Sequence, residues 1–292
     1  MPVDLGRVGI WSRELRYNPD RGARAAAAAE IEELGYAAIF IPDAGGDVLG
    51  DVEHLLTATR RLPFATGILN IWLNDPAEVA SRRASLVARF GPRFLLGLGS
   101  SHAPLVESAV RVPYARPYAK MTAYLDALDA AATPVPAEMR MLAALGPRML
   151  SLARARAAAA HPYLVPPEHT AAARDALGPR ILLAPAQAVV LGTDRGLGRE
   201  QARAFVSDYL ALPNYVRNLR RLGFTDDDLH GRASDRLVDA LVAYGDEETI
   251  AARVRAHHDA GADHVCIYVF GGGDEALPLD AWRRLAPALT SL

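Results

Sequence analysis

The chain has 292 residues, 51% of them hydrophobic, with 32 basic against 34 acidic side chains and a formal charge of −2. It is long enough to bury a large core in one or two domains, and its charge balance supplies no global field for nucleic acid or an anionic membrane. One cysteine, Cys266, excludes an intrachain disulfide and suits a reducing cytoplasm, while the absence of a signal-like start or of about 18 successive apolar residues argues against export or a membrane span.

Along the chain, short apolar runs alternate with helical patterns. "RVGIW" (7–11) leads to an Ala-rich helix over 21–34 that stops at Gly35, and "YAAIFI" (36–41) leads to a helix near 51–61. "PFATGIL" (63–69) precedes a helix opened by Pro76, a residue well placed in a first helical turn. "RFLLGLG" (93–99) precedes a helix over 117–131, "RMLAAL" (140–145) one over 147–158, and "HPYLV" (161–165) one over 167–177. "RILLAPAQAVVL" (180–191) opens a region of several helices over 197–260, a candidate lid or subunit contact, and "HVCIYVF" (264–270) with a helix over 279–290 closes the chain.

Strands buried on both faces read as continuous apolar runs, and eight such runs alternate here with helices. That pattern predicts a single-domain α/β fold over residues 1–292, a (β/α)8 TIM barrel with extra helices between strands seven and eight. A doubly wound sheet is the competing architecture. No internal repeat or linker divides the chain.

Barrel chemistry gathers at the C-terminal strand ends. The ends here are Trp11–Ser12, Pro42–Asp43, 70–72, 100–102, Gly146, 163–165 and the loop 270–273. "GLGSSH" (97–102) lacks the sixth-position glycine of a dinucleotide fingerprint, and the chain contains no P-loop, no hydrolase elbow and no metal-ligand spacing. At a barrel strand end, Gly97 and Gly99 would let a flat ligand approach the backbone, Ser100 and Ser101 would offer hydroxyls, and His102 would either move a proton or cap the next segment. Asp43 is either an acceptor for a ring N–H or hydroxyl or the head of an Asx turn. Trp11 and Trp72 either wall the pocket or fill the core. "FGGGDE" (270–275) reads as a flexible connection, its acidic residues opposing phosphate, and His257–His258 as a solvated pair near a helix C-terminus. No Lys/Arg set at the strand ends marks a sugar-phosphate pocket, and Arg148 sits at a helix start.

With these residues in place, the chain resembles the luciferase-like monooxygenase superfamily in its coenzyme F420-dependent oxidoreductase branch. The resemblance runs from "RVGIWS" to "GADHVCIYVF" and rests on "TGILNIWLNDPAEVA", "RFLLGLGSSHAP", "LAALGPRMLSLA" and "HPYLVPPEHTAAAR". It implies a luciferase-like (β/α)8 barrel, usually dimeric, holding a deazaflavin at the C-terminal mouth. A non-prolyl cis bond after strand three would back the ring, expected at Asn70–Ile71. Asp43 would lie by the cofactor, and Ser100, Ser101, Gly146, Tyr163 and Val165 would line its site. His102 takes the place of a glutamate found in the sugar-phosphate dehydrogenases of the family, and Ala44 the place of their histidine. Ala158–Ala159 replaces a frequent Asp-Gly, and Pro166–Pro167 removes two backbone donors where phosphate would be held. The implied activity is hydride transfer between deazaflavin C5 and a small organic substrate, with His102 and Asp43 as the catalytic pair and Trp11 and Trp72 lining the substrate pocket. An FMN-dependent monooxygenase and a non-catalytic flavin or deazaflavin binder are the alternatives.

Overall fold

The computed structural model describes residues 3–43, 45–110, 113–271 and 276–292. Its strands are β1 (Val8–Trp11), β2 (Ile39–Ile41), β3 (Phe64–Thr66), β4 (Leu69–Asn70), β5 (Phe94–Gly99), β6 (Arg140–Leu142), β7 (Ala159–Ala160), β8 (Leu182–Leu183), β9 (Ala186–Leu191), β10 (Val242–Gly245) and β11 (Val265–Val269). All pair in parallel, in the order β10-β9-β11-β1-β2-β3-β5-β6-β7-β8, with β4 also on β5. The ring closes because β8 and β9 are two pieces of one segment. β8 pairs with β7, β9 pairs with β11, and a bridge from Tyr163 to Ala186 spans the break. This is the expected barrel of eight parallel strands inside a helical sheath, so each strand is apolar on both sides. β5, "FLLGLG", is buried throughout.

Helix starts follow local chemistry. Side chains of Asp20, Asp47, Asp75, Asp194, Ser234 and Asp246 each accept a backbone N–H in the first turn of the helix they open. Pro76, Pro117, Pro147, Pro167 and Pro213 occupy first-turn positions, where a missing N–H costs nothing. Pro166 and Pro167 therefore start helix Pro167–Leu177.

Three features differ from the sequence reading. The region 197–260 holds a strand as well as helices: β10 lies against residues 188–191 of β9. Because Ala188 and Val189 also pair with β11, β10 occupies the opposite edge, beyond the end of β7. The four-residue "VAYG" follows helix Asp235–Leu241 without a turn signal, so periodicity merged the two. Second, His257 is fully buried. Its Nδ1 lies 2.8 Å from Thr170 Oγ1 and its Nε2 3.0 Å from Gln187 Oε1, between two helices and β9, whereas its neighbour His258 is half-buried with Nδ1 3.0 Å from the Ala262 carbonyl. Third, the cis peptide is Gly67–Ile68. The strand breaks there, between β3 and β4, and a side chain on Gly67 would meet the Trp11 ring at 2.8 Å, so glycine marks the bulge.

Among the described residues, no helix is long and apolar enough to cross a membrane, and no cluster of three His, Cys, Asp or Glu could hold a metal. Cys266 is buried, and desolvation pushes its thiol pKa up.

Candidate functional site

The strand ends converge on the mouth of the barrel, where helices Arg195–Leu210 and Pro213–Arg221 of the insertion also pack. His102 follows β5 and opens helix Ala103–Val110. Its Nδ1 lies 2.9 Å from Asn214 Oδ1, and its ring packs 5.1 Å from that of the buried Tyr215. Burial lowers its pKa and the Asn214 bond partly offsets this, so the imidazole is neutral at neutral pH. His102 Nε2 has no partner among the described residues and is not sealed from solvent. Ser100 and Ser101 are half-exposed beside it. The Tyr114 hydroxyl donates to the Ser101 carbonyl at 3.2 Å and lies 3.4 Å from Ser100 Oγ.

Asp43 belongs to the scaffold of the mouth. Its side chain is 1% exposed. One oxygen accepts from the Asn70 backbone (3.0 Å) and Asn74 Nδ2 (2.8 Å). The other accepts from Gly45 N at 3.0 Å and lies 3.5 Å from Arg16 Nη1. The Asx turn is therefore present, and the carboxylate ties the loop after β2 to the end of strand three. Asn70 and Ile71 are buried with it. Ala44, the neighbour compared with a family histidine, lies outside the described residues.

The glycines of β5 serve the protein's own packing. A Cβ on Gly97 would fall 1.9 Å from the Thr66 carbonyl oxygen, and one on Gly99 2.4 Å from the Ile68 side chain. They therefore admit the neighbouring strand and its bulge. The half-exposed Ile68 side chain fills the space beside Gly99.

Trp11 is core. Its Nε1 donates to the Gly67 carbonyl at 2.6 Å, and its ring packs against Tyr268 (4.7 Å) and Tyr163 (5.3 Å). Tyr163 is half-buried, its hydroxyl 2.9 Å from that of Tyr209, and Val165 is fully buried. Trp72 packs beside Tyr114 under the Lys120 ammonium, and its indole N–H is buried without an acceptor. A cleft of about 600 Å³ opens nearby, walled by Phe205, Tyr209, Tyr268 and Phe270 with Leu105, Gln201 and Asp208 at its edge. Of the loop 270–275, Phe270 and Gly271 border this cleft; residues 272–275 lie outside the described residues.

Gly146 heads helix Pro147–Arg156, whose N-terminus has no side-chain cap. A Cβ on Gly146 would lie 3.3 Å from Arg221 Nη1, so the guanidinium rests beside this helix start. Arg221 has no ion-pair partner among the described residues, whereas Arg148 packs over the Tyr118 ring at 4.4 Å. Asn214, Asn218 and Arg221 share one face of their helix, at positions i, i+4 and i+7. Asn218 is 3% exposed, and its Nδ2 has no acceptor. The mouth thus carries orphan donors at Trp72 and Asn218, two serine hydroxyls, and a guanidinium at an uncapped helix start. This donor-rich set fits a planar, carbonyl-bearing group with an anionic tail. Sequence reasoning missed Asn214, Tyr215, Asn218 and Arg221, although polar residues at i, i+4 and i+7 after Pro213 were a readable signal.

Comparison with known proteins places these features in context. The profile of the family described as luciferase-like monooxygenase matches residues 9–264. A Mycobacterium tuberculosis protein named "Putative coenzyme F420-dependent oxidoreductase" is 26% identical over 121 residues, 41% of this chain; the match spans 33% of that relative's length. Two solved structures, each 15% identical, share the fold. The coenzyme F420-dependent tetrahydromethanopterin reductase of Methanopyrus kandleri gives a TM-score of 0.77 over 99% of both chains. An F420-dependent secondary alcohol dehydrogenase, solved with an F420-acetone adduct, gives 0.74 over 98% of this chain and 99% of its own.

Proposed function

Since the chain belongs to the luciferase-like monooxygenase family, we propose that it is an F420-dependent oxidoreductase acting on a small organic substrate at the barrel mouth. The observation that carries this reading is His102: a neutral imidazole at a strand end, one nitrogen held by the protein and the other open. The F420-dependent proteins among its relatives and structural neighbours support a deazaflavin, while a Baeyer-Villiger monooxygenase solved with FMN, 10% identical with a TM-score of 0.67, keeps FMN as the second reading.

When bound, the deazaflavin supplies hydride transfer at its C5. Gly146 with Arg221 would hold its anionic end. Ser100, Ser101 and the Trp72 and Asn218 donors would meet its polar edges, with Ile68 of the strand-three bulge beside it. His102 Nε2 exchanges a proton with the substrate, contributing roughly 10²–10⁴-fold to the rate. Asp43 keeps the bulge in place through Asn70 and Asn74. Phe205, Tyr209, Tyr268 and Phe270 offer an aromatic wall for the substrate.

Spectroscopic titration of the purified protein with F420 tests the proposal. Binding at micromolar concentration is expected. No binding, or protein that purifies yellow with oxidised FMN, would overturn it. An F420-binding protein that catalyses no hydride transfer would instead be a carrier, and hydride transfer unchanged in His102→Ala would remove His102 from the proton step.

A further inference from the structure

His102 and Asn214 are 112 positions apart, yet they form the only hydrogen bond that either imidazole nitrogen makes to the described residues. Asn214 is the second residue of helix Pro213–Arg221, in the insertion between β9 and β10. That helix is anchored by the residues that follow Asn214. Tyr215 is buried against the imidazole and the Tyr163–Tyr209 pair, and Leu219 is fully buried in the insertion's own core. The amide therefore sits on a rigid element, and His102 follows a fully buried strand.

We propose that Asn214 is a positioning residue for His102: its side-chain carbonyl accepts the Nδ1–H, selects that tautomer, and leaves Nε2 as a bare proton acceptor at the mouth. The consequence for reaction direction rests on the proposed role of His102 in proton transfer. A neutral imidazole offering a lone pair takes a proton from a substrate O–H or N–H; it does not supply one. Among the described residues, Asn214 and Tyr215 are the groups that contact the ring. The helical insertion thus completes a site whose other parts come from the barrel.

The opposite amide orientation, with Nδ2 donating to Nδ1, would leave Nε2 protonated and make His102 a donor. Two-dimensional ¹⁵N–¹H spectra of the imidazole, taken on the full chain without cofactor, distinguish the two. The wild type is expected to show the Nδ1–H form at pH 8. Asn214→Ala should move it toward the Nε2–H form. Asn214→Asp, which can only accept, should keep the Nδ1–H form and raise the His102 pKa by about one unit or more. In turnover, the acid limb of kcat/KM should move upward with that pKa, and Asn214→Ala should lower kcat at least about tenfold with KM little changed.

An Nε2–H wild type, or a tautomer and pKa shared by all three proteins, overturns the proposal. So does a selected tautomer whose loss leaves kcat and the pH profile unmoved. The spectra need no cofactor, so failure of F420 to bind would be seen separately in the titration above.

Discussion

Acidification should unfold this protein through three histidines in its interior. His161 and His264 flank Phe40, with ring centroids at 5.1 and 5.4 Å. Each is bonded through Nδ1, to the carbonyls of Ala184 and Gly6, and each has a buried Nε2 with no partner. His257 is fixed as well. Gln187 Nε2 donates to the carbonyls of Ala188 and Leu241, so Gln187 Oε1 must accept from His257 Nε2–H, and His257 Nδ1 accepts from Thr170. None of the three can take a second proton without placing a charge in the core. Desolvation accordingly lowers their pKa values to about 4 for His161, about 4 for His264 and about 3 for His257.

An unfolded histidine titrates near about 6.5. The folded values lie below it, so the unfolded chain binds more protons, and stability present above about pH 6.5 is lost as the pH falls. Each histidine contributes about 1.4 kcal/mol per pH unit in that window. At pH 5 the loss is roughly 2 kcal/mol each, or about 6 kcal/mol for the three, against a typical domain stability of about 5–15 kcal/mol. Urea unfolding followed by circular dichroism at pH 7.5 and pH 5.0 measures this directly. A stability difference below about 2 kcal/mol would refute the reasoning, because a single uncharged core histidine would already produce that much.

Other substitutions probe the mouth. His102→Ala should lower turnover by about 10²–10⁴-fold while F420 affinity in the spectroscopic titration stays within a factor of a few; an unchanged rate would remove His102 from proton transfer. Asp43→Ala should cost about 2–3 kcal/mol in urea unfolding, because it frees the Asn70 and Asn74 donors and removes one of the two carboxylates beside the Arg16 guanidinium, which keeps Asp51 at 3.6 Å; a cost under about 1 kcal/mol would mean the loop holds without it. Gly97→Ala should destabilise by about 3 kcal/mol or more, since the new methyl falls on the Thr66 backbone carbonyl, which cannot move without its strand. A thermal midpoint equal to that of the wild type would refute this.

The sequence by itself determined the barrel. Eight apolar runs with helical patterns between them admit few other packings, and the caps at Asp20, Asp75 and Asp246 and the first-turn prolines are local chemistry that needs no distant partner. It also placed His102 at a strand end, because strand length and the switch from apolar to Gly-Ser-Ser are visible in one dimension. What the tertiary structure decided were the relations across the chain. Gly97 and Gly99 face the Thr66 carbonyl and Ile68, His257 turns inward to Thr170 and Gln187, and Asp43 bonds Asn70, Asn74 and Gly45. The pairing of His102 with Asn214 belongs to the same class. Local periodicity states which face of an element is apolar, but only the closed ring of strands and the insertion folded over its mouth determine which side chain stands opposite which.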